Sequence, residues 1–141
     1  MTTKEKGIKS VAVTQFCERM MKRSANYKYS LVRIIVFKAA DSSNLLRGCE
    51  FLKGTGGSRR DEYIELQDLE AGDYFVFVQV EWDESASCLE SKEISINCYG
   101  QGEVAFSDDM ASQYDLVDLL TQIFKSHAQK FEGTDVVWTK N

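Results

Sequence analysis

Tyr74–Trp82, YFVFVQVEW, is the stretch whose reading decides the fold. Tyr74, Val76, Val78, Val80 and Trp82 alternate with Phe75, Phe77, Gln79 and Glu81. A period of two in β-branched and aromatic residues is that of a β-strand with one face on a core. Just upstream, LEAGD at 69–73 makes a tight turn in which Gly72 is free to take positive φ. Before it, EYIELQ at 62–67 alternates as a half-exposed strand. Downstream, 83–91 reads as an acidic loop, and EISINCY at 93–99 as a strand with Ile94, Ile96 and Cys98 inward. Gly100–Gly102 reads as a hairpin turn, from which 103–107 returns with Val104 and Phe106 inward.

Further from the centre, YSLVRIIVFKA at 29–39 places Val32, Ile34 and Val36 on one face and Leu31, Ile35 and Phe37 on the other. Apolar residues on both faces mark a central strand. Ile8–Cys17 is a β-branched strand, 18–28 a basic loop, Cys49–Lys53 a short strand, GTGG at 54–57 a flexible loop, and 1–7 a flexible polar tail. About seven to eight short strands with turn signals between them indicate an all-β protein, an antiparallel β-sandwich over residues 8–110.

The last segment changes period. Leu116, Leu119, Leu120, Ile123, Phe124 and Phe131 fall at helical spacing. Ser112 and Asp115 resemble a capping box, and Gly133 a stop. The spacing predicts one C-terminal helix within 111–132, followed by a tail over 133–141. Its stripe either covers the domain's own core entirely or, being wider than one sheet contact needs, leaves part of itself as a partner-docking face.

Composition bounds the rest. The chain has 141 residues, 43% apolar, with no proline and a net charge of −5. This is one domain's worth, and too aromatic for a disordered chain. No apolar run approaches the ~20 residues of a membrane span, and the first residues lack a secretory signal's apolar stretch. Residues 1–60 carry a balance of +9 and residues 61–141 one of −14. The charges are interleaved with strand residues, so the halves are expected to neutralise one another; no nucleic-acid partner is expected. Cys17, Cys49, Cys88 and Cys98 form no close pair, so neither zinc nor disulfides are expected, and two or three should be buried as reduced thiols in a cytoplasmic compartment.

Val13-Thr14-Gln15 with Glu18-Arg19-Met20, then Tyr27, Tyr29-Ser30 and Arg33, then Leu69-Glu70-Ala71-Gly72-Asp73-Tyr74 carry a resemblance. Residues 8–110 resemble the C2-like β-sandwich, the third domain, of the calpain family, as in divergent calpain-like proteins of protists such as ciliates. The first segment resembles that family's strand end of the form Q-x-x-x-R, and the last its L-x-x-G-x-Y turn feeding a core strand. The protease core with its Cys-His-Asn triad has no room here, and no EF-hand loop is present. The resemblance therefore implies the accessory domain without the enzyme, and links the domain to calcium and phospholipid binding.

Few residues offer chemistry of their own. His127 lies on the apolar face of the expected helix and reads as a packed or partly exposed histidine, so no catalytic residue is assigned. If each strand reverses direction, loops 18–28, 54–60, 83–91 and 108–111 share one end of the sandwich. That end gathers Arg19, Lys22, Arg23, Arg59 and Arg60 with Asp83, Glu84, Glu90, Asp108 and Asp109. Calcium takes about six to eight oxygens, and arginines beside the carboxylates compete with it. The cluster reads as salt-bridged loops, with a weak calcium site as the alternative; no cofactor is otherwise expected. Arg19-Met20-Met21-Lys22-Arg23 could touch an anionic membrane, but the better reading is a solvated loop with one methionine folded inward. GTGGSRR at 54–60 lacks the ending of a P-loop. Two function classes remain: a non-catalytic protein-interaction or regulatory module, such as a small structural subunit of a ciliary or cytoskeletal assembly, and a calcium- or phospholipid-responsive sensor.

Overall fold

The computed structural model describes residues 1–20, 26–39, 49–89, 92–107, 117, 120 and 121. Eight strands run in chain order: β1 (Thr2–Thr3), β2 (Gly7–Gln15), β3 (Leu31–Lys38), β4 (Glu50–Gly57), β5 (Asp61–Leu69), β6 (Gly72–Glu81), β7 (Ile94–Gly100) and β8 (Val104–Ala105). They form two antiparallel sheets, ordered β4-β3-β6-β1-β8 and β5-β2-β7. The all-β antiparallel sandwich follows from the alternation in β3 and β6. Ile34 lies opposite Val78, Val36 opposite Val76 and Val32 opposite Val80, so these six side chains share the inner face.

The second sheet answers with Val11 and Val13 of β2 and Ile64, Leu66 and Leu69 of β5. Val32, Ile34 and Val36 are fully buried, as the alternation requires. Val76, Val78 and Val80, expected to be equally buried, are only half-buried. The reason lies in the topology. Beyond its first residues β6 has β3 on one side, while β1 reaches only Gly72 and Asp73 on the other. Facing it, Ile96 of β7 points inward opposite Val13 yet stays 43% exposed. This margin of the sandwich is open among the described residues.

Four local expectations give way. The supposed tail holds β1, where the Met1 amine donates to the Tyr74 carbonyl (2.8 Å) and the Tyr74 amide to the Met1 carbonyl (2.7 Å). Two threonines are too short to show a period, and their pairing comes from β6 and β8. GTGG is strand: Gly54, Thr55, Gly56 and Gly57 pair with Ile35, Ile34, Arg33 and Val32. The adjacent central strand holds these glycines extended, overriding their weak preference. Gly100–Gly102 is no hairpin, because β7 pairs with β2 while β8 pairs with β1; the segment crosses between sheets. Gly100 (φ +146°) and Gly102 (φ +74°) supply the bend. The return strand is only Val104–Ala105, and Phe106 is exposed rather than inward.

The expected positive φ at Gly72 is present, at +150°. Of the segment expected to form the C-terminal helix, only Val117, Leu120 and Thr121 are described; these three are helical, with Val117 exposed and Leu120 half-buried. Leu116, Leu119, Ile123, Phe124, His127 and Phe131 lie outside the described residues.

Candidate functional site

The loop end of the sandwich is organised around Gln15, the last residue of β2. Its position continues the inward series Val11, Val13, and it is buried. Its Oε1 accepts from the Ser30 amide (2.9 Å), and its Nε2 donates to the Ser30 carbonyl (2.7 Å) and the Arg59 carbonyl (3.0 Å). Its own amide donates to the Arg60 carbonyl (2.8 Å). Ser30 Oγ in turn accepts from the Asp83 amide (2.9 Å). The ends of β2, β4 and β6 and the start of β3 are thereby tied together, so loops carrying Arg59, Arg60 and Asp83 do share one end, as strand reversal requires.

Among the described residues, the ion pair at this end is a local one. Arg60 Nε donates to Asp61 Oδ2 (2.6 Å), and Asp61 Oδ1 also accepts from Thr14 Oγ1 (2.9 Å). The guanidinium holds the Asp61 carboxyl below its ordinary range. Asp83 caps the short 3-10 turn Glu84–Cys88: its Oδ1 accepts from the Ser85 amide (2.9 Å) and hydroxyl (2.6 Å), which lowers its pKa. Glu84 is exposed in the same turn. Arg19 lies in the 3-10 turn Glu18–Met20, and Met20, beside it, is 75% exposed. Lys22, Arg23, Glu90, Asp108, Asp109 and Met21 lie outside the described residues. No group of three histidine, cysteine or carboxylate side chains able to hold a metal occurs among the described residues. Cys17, Cys49 and Cys98 are half-buried and Cys88 is exposed, where two or three buried thiols were expected. Burial nevertheless pushes the Cys49 and Cys98 thiols up.

A different surface stands out on the outer face of β5-β2-β7. The central strand presents Ile8, Ser10, Ala12 and Thr14 outward. Ala12 lies opposite Tyr63 and Asn97, Ser10 opposite Glu65 and Tyr99, and Thr14 opposite Asp61 and Ser95. Small residues run down the middle, with a tyrosine standing on each side. Tyr63 and Tyr99 are each 60% exposed, and Ile8 and Phe16 project at the two ends of the strand. Ala12 is buried although it points outward, between Tyr63 and Asn97. The outward positions of β2 and β7 carry no charge at all; the carboxylates Asp61 and Glu65 lie on the β5 side. Sequence reasoning did not single out this face. Its signal was the outward phase of two half-exposed strands, Tyr63 in EYIELQ and Tyr99 in EISINCY, but only the pairing of both strands to β2 brings the two rings onto one surface.

No family model, no curated protein and no solved structure matches this chain.

Proposed function

We propose that this chain is a non-catalytic protein-interaction or regulatory module, and that the outer face of β5-β2-β7 is its contact surface. The observation that carries the reading is this face's composition: two exposed tyrosines, Ser10, Ala12, Thr14, Ser95 and Asn97 between and beside them, and no charge on two of its three strands. Tyrosines supply large, rigid, amphipathic contact area, and serine and asparagine supply adaptable hydrogen bonds. Depletion of charge at the centre with carboxylates at the rim is the anatomy of a recognition surface.

The likeness of residues 8–110 to the calpain C2-like domain supports a regulatory part without a protease core. It also supports a small structural subunit of a cytoplasmic assembly, cytoskeletal or ciliary in kind. The calcium- or phospholipid-sensor reading rests on the loop carboxylates Asp83, Glu84, Glu90, Asp108 and Asp109; against it, the Asp83 carboxylate is already engaged by Ser85. The two readings separate in one experiment. Wild type and a Tyr63→Ala/Tyr99→Ala variant are used to recover partners from native lysate with and without calcium. Recovery lost in the variant and indifferent to calcium supports the module. Recovery or Trp82 fluorescence that follows calcium, unchanged by the tyrosine substitutions, overturns it in favour of the sensor.

A further inference from the structure

The opposite margin from the open β6–β7 seam carries a groove of about 500 Å³ between the edges of β4 and β5. Its floor is apolar: Leu52, Leu66, Leu69 and the ring of Tyr74. Leu66, Leu69 and Tyr74 belong to the buried core, so the groove opens directly onto the interior packing. The Tyr74 hydroxyl is already satisfied, donating to the Glu70 carbonyl (2.7 Å). The floor therefore offers carbon, not a polar anchor.

The walls are acidic. Glu50, Glu65, Asp68 and Glu70 line them against Lys38 and Lys53. Glu70 is neutralised by Lys6, whose Nζ lies 2.7 Å from Oε1. Lys53 Nζ donates to the Glu65 backbone carbonyl (2.9 Å), and among the described residues the Glu65 carboxylate accepts only from Gln67. Glu50, Glu65 and Asp68 thus form no ion pair among the described residues. An apolar floor under surplus carboxylates is complementary to a cationic, partly apolar ligand. Both bordering strands are also outer members of their sheets, the position at which an extended peptide adds by backbone pairing.

We propose that this groove binds an extended basic segment of a partner protein, with an aliphatic side chain on Leu52, Leu66, Leu69 and Tyr74 and flanking arginines against Glu50, Glu65 and Asp68. This rests on the interaction-module reading and names the partner's chemistry at a second surface. The test uses the full chain and a short labelled peptide of alternating arginine and leucine. Control peptides carry glutamate for arginine, or serine for leucine. The arginine–leucine peptide is expected to bind, with amide shift changes centred on Leu66, Leu69 and Tyr74. Both controls, and the Glu50→Lys/Asp68→Lys variant, should weaken binding at least tenfold. Glu84→Lys, at the far loop end, should leave it unchanged. The proposal is overturned by no binding, by equal binding of either control, by indifference to the groove variant, or by shifts centred on Tyr63 and Tyr99. If partner recovery still depends on Tyr63 and Tyr99 in that event, the groove assignment alone has failed.

Discussion

Gln15 and Ser30 meet through a double hydrogen bond, the carboxamide of one reading both backbone groups of the other. A side chain from one sheet thereby imitates a β-bridge to the other sheet. Gln15 also accounts for the Arg59 carbonyl. Gln15→Leu would strand three backbone groups, two of them buried. The expected loss is ~2–4 kcal/mol, since each unmet buried group costs ~1–3 kcal/mol. A urea midpoint equal to wild type would show that these groups find other partners.

The unequal burial of paired core residues gives a second expectation. Ile34 is fully buried and its cross-strand partner Val78 half-buried. Ile34→Ala should destabilise by ~2–5 kcal/mol through the cavity it leaves. Val78→Ala should lose only about 1 kcal/mol, in proportion to the smaller apolar area removed from water. Equal shifts in chemical denaturation would mean that the β6 margin is closed in solution.

Lys9 sits on the inner face of β2, fully buried, and its Nζ has no hydrogen-bond partner among the described residues. An unpaired polar group in such surroundings is unfavourable. Lys9→Met keeps the length of the stem and removes the amine, and should stabilise by ~1–3 kcal/mol. Lys9→Ala should destabilise instead, by leaving a void. A loss of stability in the methionine variant would contradict the burial of an unpaired amine.

Two glycines with similar φ separate strain from clash. A Cβ at Gly72 (φ +150°) would meet nothing within 4 Å, whereas one at Gly100 (φ +146°) would collide with the Ile8 carbonyl oxygen. Gly72→Ala should cost ~1–2 kcal/mol of backbone strain. Gly100→Ala should cost ~3–5 kcal/mol, with strain and overpacking together. Thermal melts of the two variants check the order.

The response to acid follows from three carboxylates. Asp61, Glu70 and Asp83 are held below their ordinary values by hydrogen bonds from Arg60, Lys6 and Ser85 respectively. Each binds fewer protons folded than unfolded, so its contribution is complete above the ordinary carboxylate range. It is lost as pH falls through the depressed folded value. The urea midpoint should fall steadily from about pH 4 downward, and Asp83→Asn should flatten that fall. A midpoint that rises on acidification would contradict the sign.

Much of the sandwich was legible because β3 and β6 alternate over long runs, and alternation fixes both strand and facing. What escaped was set by partners remote in the chain. Thr2–Thr3 and Gly54–Gly57 become strand because β6 and β3 lie beside them. The phase of β2 could place Gln15 inward, but not reveal that Ser30 and Arg59 wait there. Arg59, Arg60 and Asp83 were legible as sharing one end, but the pairing of Arg60 with Asp61, its neighbour in sequence, was not, since Asp61 falls between the loop at 54–60 and the strand at 62–67 and was not part of the cluster. The tyrosine face required the register of three strands at once.

The two long margins of the sandwich are fastened unequally. On one side the three residues after β4 carry the chain from one sheet to the other, and Thr55 Oγ1 reaches Glu62 Oε1 across the gap (2.8 Å). On the other, Ile96 faces inward and still meets water. Such a body opens like a book, with its spine along β4–β5. Its amides should therefore exchange in an order set by distance from that spine, with β7 losing protection well before β2 and β5.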